Sequence, residues 1–104
     1  MTMLSNEQAA RELHAAILVL LRAYDQAKGA EKTRIGMMQR VLTKEYLQLL
    51  GLEPSKDYGA LTAEFSAASG RIQGLIDRRQ QFTQDAQTAA QVLSTLTAVL
   101  RLFT

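Results

Sequence analysis

The fold predicted for this chain depends on residues 57–103, which read DYGALTAEFSAASGRIQGLIDRRQQFTQDAQTAAQVLSTLTAVLRLF and contain no proline. Apolar side chains recur there at alternating steps of four and three residues, the heptad spacing of a helix that packs along one seam. Arg79 is the only charged residue among the seam positions. The pattern predicts one long helix over residues 57–103, capped by Asp57, and leaves open a break near Gly70 or Thr83. The seam positions are Leu61, Phe65, Ala68, Ile72, Leu75, Arg79, Phe82, Ala86, Ala89, Leu93, Leu96, Leu100 and Phe103.

Two shorter helices are predicted before this stretch, over about residues 5–28 and 31–50. The first begins with Ser5 and Gln8, whose spacing is that of a capping box, in which each side chain bonds to the other residue's backbone. The second stops at Gly51, because glycine readily adopts the left-handed conformation that ends a helix and a proline follows shortly after it. We therefore predict a single all-α domain over the whole chain, with a helical hairpin and one long C-terminal helix.

The predicted helix lengths favour a second copy of the chain. At about 1.5 Å per residue, the long helix would span roughly 70 Å, about twice the length of either shorter helix. The hairpin would then cover half of the seam and leave an apolar stripe in water, which monomeric proteins rarely tolerate. A helical-bundle homodimer with coiled-coil packing would cover that stripe. In such a dimer Arg79, at the middle of the seam, would help to fix the register near the two-fold axis.

The composition excludes several kinds of chemistry. The chain has 104 residues, no cysteine and a single histidine, His14. Disulfides, thiolate zinc sites and a cysteine nucleophile are therefore impossible. No second metal ligand stands at helical spacing from His14, and no glycine-rich phosphate-binding pattern is present. We expect a protein with no enzymatic activity, no cofactor and no metal.

The C-terminal end of the sequence indicates a protein-binding role. Its apolar residues are flanked by serine and threonine with almost no charge, whereas a free surface usually carries more charge. Such a helix suits recognition in the helix-in-groove mode, although ordinary burial of the same residues is the alternative. The predicted function is that of a small regulator that binds a partner protein, for example a transcription factor, and blocks or sequesters it as an antiactivator does. The residues predicted to contact the partner or the second copy are Leu93, Leu96, Leu100, Phe103, Phe82, Arg79, Ile72 and Tyr58.

Two other functions stay open. In size and in having a long C-terminal helix the chain is similar to small helical secretion chaperones and adaptors, which are commonly acidic, whereas this chain has a net charge of +2. Residues 45–55 resemble the first helix and turn of a helix-turn-helix DNA-binding protein. Leu47 and Asp57 depart from that family's pattern, which has alanine and an apolar residue there. DNA binding would use the denser basic groups, which are Lys32, Arg34, Arg40 and Lys44 in the second helix and Arg71, Arg78 and Arg79 in the third.

The sequence predicts a cytoplasmic protein without a membrane partner. The longest apolar run, Ala15–Leu21, is far shorter than the roughly 20 residues that a membrane-spanning helix needs. The first residues also lack the basic start of a signal peptide.

Overall fold

The computed structural model describes residues 4–103, and within this range the chain forms six α-helices and no strands. The predicted all-α class is confirmed. The helices are α1 (Asn6–Gln26), α2 (Gly29–Leu49), α3 (Ala63–Ser66), α4 (Ser69–Asp77), α5 (Arg79–Phe82) and α6 (Ala86–Leu100), and a 3₁₀ turn at Arg101–Phe103 follows the last of them.

The first two helices lie close to their predicted positions. The Ser5 hydroxyl oxygen accepts a hydrogen bond from the backbone N–H of Gln8 at 3.2 Å, and the Gln8 side-chain oxygen accepts one from the backbone N–H of Ser5 at 2.9 Å. The predicted capping box is therefore confirmed. The chain reverses direction at Gly29, whose φ of 60° lies in the left-handed region that glycine adopts without strain. Helix α2 ends at Leu49, just before Gly51.

The prediction of one long helix over residues 57–103 is wrong, because four separate helices, α3 to α6, occupy that stretch. Asp57 does not cap a helix and instead forms an isolated bridge with Ser5. Thr62 caps α3, since its hydroxyl oxygen accepts a hydrogen bond from the backbone N–H of Phe65 at 3.2 Å. The first regular helix of this stretch therefore begins only after Thr62.

The clearest interruption lies between α5 and α6, close to Thr83, which the sequence left open as a break. One carboxylate oxygen of Asp85 accepts a hydrogen bond from the backbone N–H of Gln87 at 3.0 Å, and the other accepts one from the Thr88 hydroxyl at 2.8 Å. Short polar side chains that bond to nearby backbone compete with a continuous helix and favour a new helix start. The other candidate, a break near Gly70, is also found, because α3 ends at Ser66 and α4 begins at Ser69, one residue before Gly70.

The four C-terminal helices fold back, so that their apolar positions are buried within one chain. Helix α1 packs against both α2 and α6, and α4 packs against α6. The exposed seam from which the homodimer was predicted is therefore not formed, although the homodimer itself stays a prediction. Leu61 and Leu93 are the large seam residues that remain exposed. The buried seam positions are Phe65, Ala68, Ile72, Leu75, Phe82, Ala89 and Leu96.

A buried carboxylate holds the long connection between α2 and α3. Glu45, which is fully buried in α2, accepts hydrogen bonds from the Tyr58 hydroxyl at 2.5 Å and from the backbone N–H of Leu61 at 2.8 Å. It also accepts two bonds of 2.9 Å from the backbone N–H and the hydroxyl of Thr62. Burial raises the pKa of Tyr58, and the neighbouring Glu45 carboxylate raises it further. The four hydrogen bonds that the Glu45 carboxylate accepts offset the cost of burying a polar group.

Across residues 4–103, none of the helices combines the length and the apolar character that crossing a membrane requires.

Candidate functional site

A concave cleft of about 320 Å³ opens between α2 and α4. Helix α2 contributes one wall with residues from its first half, and α4 contributes the other together with Arg78, the residue that follows it. The lining residues are Arg34, Met37, Met38, Arg71, Gly74, Leu75 and Arg78. This cleft combines an apolar floor with a charged rim, which is typical of binding sites.

The floor of the cleft is made of flexible and aliphatic side chains. Met38 and Leu75 are buried and belong to the hydrophobic core, whereas the side chain of Met37 is 49% exposed. Methionine has three rotatable bonds and a polarizable sulfur, so it adapts to differently shaped partners. Gly74 forms part of the α4 wall, and a Cβ atom placed on it would meet no other atom within 4 Å. The cleft is therefore open at Gly74.

Three arginines surround this floor, and one carboxylate contacts two of them. Glu31 in the first turn of α2 accepts a 2.8 Å hydrogen bond from Arg34 Nη1. It also accepts bonds from Arg78, whose Nε lies 3.0 Å from Glu31 Oε1 and 3.3 Å from Oε2, with Nη2 bonded to Oε1 as well. The bonds from Arg78 are the main cause of a lowered Glu31 pKa, and Glu31 in turn raises the pKa of Arg78. Glu31 is therefore an ionised carboxylate held between two guanidinium groups.

Arg71 differs from the other two arginines. It is exposed, and within residues 4–103 no carboxylate forms an ion pair with it. The cleft thus carries three guanidinium groups against the single carboxylate of Glu31, which leaves it with positive charge. Coulomb attraction for an anionic ligand is strengthened beside a low-dielectric apolar surface. The arrangement can therefore bind a ligand that is both apolar and anionic.

The structure does not bring the eight sequence-predicted contact residues together on one surface. Leu96, Ile72, Phe82 and Tyr58 are buried in the core of the chain, and Leu100 is partly buried there. The ring of Phe103 is also partly buried and stacks on Phe65, with centroids 4.6 Å apart. Arg79 donates a 2.7 Å hydrogen bond to the backbone oxygen of Ile76. Leu93, which is 40% exposed, lies with the partly exposed Arg79 in one hollow between α5 and α6, so the structure brings these two predicted contact residues together at the surface.

The cleft residues were missed because they lie far apart in the sequence. The basic groups of the second and third predicted helices were recognised, but the heptad pattern placed Arg71 and Arg78 in one continuous helix. Helix α4 can lie beside α2 only because the predicted long helix is interrupted before and after α4. A search for basic residues next to exposed methionines would have selected Arg34 and Met37.

The helix-turn-helix resemblance does not extend to the geometry. Helix α2 ends at Leu49, and the next helix is the single turn Ala63–Ser66, whereas that motif needs a recognition helix after a short turn. His14, the only histidine, has its ring against Tyr46 with centroids 5.6 Å apart. Within residues 4–103 no group of three or more acidic or histidine side chains is arranged to hold a metal ion.

Comparison of the chain with protein-family models, with curated proteins and with solved structures gives no match.

Proposed function

We propose that this protein is a small non-enzymatic regulator that binds a partner protein and sequesters it, and that the cleft between α2 and α4 receives a segment of that partner. The observation that carries the proposal is the exposed Met37 beside buried Met38 and Leu75 in a concave surface with a positive rim. Apolar burial would provide the binding energy, at about 25 cal/mol for each Å² removed from water. The rim would orient the segment and exclude basic partners.

The kind of regulation depends on the partner. An antiactivator would hold a transcription factor inactive, whereas a secretion-type chaperone or adaptor would hold an exported protein. The identity of the partner distinguishes these two readings. The lining of the cleft suits both, because methionine-rich surfaces accept varied apolar side chains.

We further propose that the protein is a homodimer in the cell. Leu93 on α6 lies in a shallow hollow between α5 and α6, and the α6 segment around it is uncharged. Light scattering on a sizing column at micromolar concentration should give twice the mass of the chain. A monomeric mass under those conditions would remove the dimer from the proposal without affecting the cleft.

A larger side chain at Gly74 should fill the cleft and abolish partner binding without destabilising the fold. In Gly74→Gln the new side chain has open space to enter, and replacing a helical glycine stabilises a helix by up to about 1 kcal/mol. We expect at least about a tenfold loss of partner affinity together with equal or higher thermal stability. The measurement is a pull-down from a lysate of the source organism with the immobilised protein. The partner that it recovers is then purified and titrated against each variant.

Gly70→Gln is the matched control, because Gly70 lies in the same helix with open space around it but does not line the cleft. A partner retained by the wild type and by Gly70→Gln but lost from Gly74→Gln supports the proposal. If the purified partner binds Gly74→Gln as tightly as the wild type, the cleft is not its binding site.

A further inference from the structure

We infer that the segment which enters the cleft between α2 and α4 is acidic, with carboxylates flanking a bulky apolar side chain, and that one of these carboxylates competes for the place that Glu31 holds between Arg34 and Arg78. This inference rests on the proposed function, since it specifies the chemistry of the partner at the same site. It assigns separate parts of the ligand to separate groups of the cleft.

The contacts of Glu31 show that the rim is arranged to hold a carboxylate. Arg34 and Arg78 approach the same oxygen from α2 and from the end of α4, and Arg78 also approaches the second oxygen. Hydrogen bonds between a guanidinium group and a carboxylate are shorter and stronger than those between neutral groups. The Glu31 side chain is only 16% exposed. A built carboxylate subsite therefore lies at the edge of the apolar floor.

Arg71 supplies the vacant counterpart of this subsite. Its guanidinium group lines the same cleft and forms no ion pair within the described residues. A carboxylate that arrives there displaces nothing, whereas one that binds Arg34 and Arg78 must compete with Glu31. The first contact of an acidic segment is therefore with Arg71, and Glu31 weakens the binding by competition.

The floor of the cleft favours a peptide over a nucleic acid. Its residues are methionine, leucine and glycine, and none of the aromatic residues among positions 4–103 lines it. Single-stranded nucleic acids bind mainly through a basic track together with stacking on aromatic side chains. A phosphate chain would use the arginines and leave the methionines without partner contacts, whereas an acidic peptide with one large aliphatic side chain would use both.

The test uses the full-length protein and fluorescent synthetic peptides of about twelve residues. A helix of that length would span the nine residues of α4 with about one turn to spare. The first peptide has a central leucine flanked by glutamates, the second replaces each glutamate with glutamine, and the third replaces the leucine with serine. We expect the first to bind in an anisotropy titration and the other two to bind at least about tenfold more weakly. Binding of the first should weaken as salt is raised.

Two pairs of variants assign the effect to the cleft. Arg71→Glu should weaken the acidic peptide about tenfold, while Arg40→Glu, the same charge change on α2 outside this cleft, should change its affinity by less than about twofold. Glu31→Gln should raise the affinity for the acidic peptide about three- to tenfold, because Arg34 and Arg78 would no longer be paired with a carboxylate. Glu64→Gln is the matched control, because Glu64 pairs with Lys44 away from the cleft.

Several results would overturn the inference, and one of them leaves the proposed function intact. If Gly74→Gln abolishes partner binding but Arg71→Glu does not, the cleft binds a partner that is not acidic. An acidic peptide that fails to bind, or that binds all variants equally, contradicts the inference directly. So does a glutamine peptide that binds as well as the glutamate one. A single-stranded DNA that binds more tightly than the acidic peptide, and with the same dependence on Arg71, would identify a nucleic-acid surface instead.

Discussion

Replacing Glu45 with glutamine is expected to destabilise the protein by about 3 kcal/mol. Each carboxylate oxygen of Glu45 accepts two hydrogen bonds, one pair from Thr62 and the other from Tyr58 and Leu61. A glutamine has nearly the same shape, but its amide nitrogen would turn two hydrogens toward two of these donors. In either orientation one of the two is a hydroxyl, which can turn to accept, and the other is a backbone N–H, which cannot. Because the site is fully buried, that N–H would lose its partner without gaining water. The connection between α2 and α3 should loosen first.

Urea unfolding followed by circular dichroism measures this effect as a change in midpoint. Glu64→Gln makes the same chemical change at an exposed helix position and should alter stability by less than about 0.5 kcal/mol. If Glu45→Gln does not fold at all, Tyr58→Phe removes one of the four bonds and should cost about 1 to 2 kcal/mol. A cost below about 1 kcal/mol for Glu45→Gln would mean that Glu45 does not hold this connection.

The second large effect is expected from a comparison of two positions on α6, the buried Leu96 and the exposed Leu93. Leu96→Asp should unfold the protein, because Leu96 has no exposed surface and an unpaired carboxylate in an apolar core costs more than about 4 kcal/mol. Leu93→Asp introduces the same group three positions earlier, where the side chain is 40% exposed. That variant should keep the fold, with a change of at most about 1 kcal/mol.

Thermal unfolding by circular dichroism and light scattering together distinguish the outcomes. A folded, cooperative Leu96→Asp protein would contradict the packing of α6 against α1. If the protein is a dimer with Leu93 at its interface, Leu93→Asp should halve the mass and leave the helical signal unchanged. Retention of both the mass and the signal would place the dimer interface elsewhere.

Local features of the fold were predictable because they depend on residues close together in the chain. The capping box of Ser5 and Gln8 needs two side chains one turn apart, and its sequence signature was sufficient to identify it. The end of α2 near Gly51 is equally local. The apolar spacing also identified positions such as Ile72 and Leu96 that turn toward the interior.

The same spacing did not predict the path of the backbone. Heptad positions in one long helix and inward positions in several short helices produce the same alternation of steps, because both follow the helical period. What distinguishes them is the competition between helix continuation and side-chain caps, and Thr62 and Asp85 cap new helices in this chain. Burial of the apolar face against α1 and α2 stabilises the broken path.

The sequence by itself determined the helical class, the first two helices, the inward-facing apolar positions and the absence of cysteine chemistry, since composition and helical period follow directly from the order of residues. Only the tertiary structure decided that Glu45 is buried among donors and that Arg34 lies across a cleft from Arg71 and Arg78. The first depends on the path of the connection between α2 and α3 and the second on where α4 docks. Both are set by a balance of apolar burial summed over the whole chain. The candidate binding site exists because of that balance.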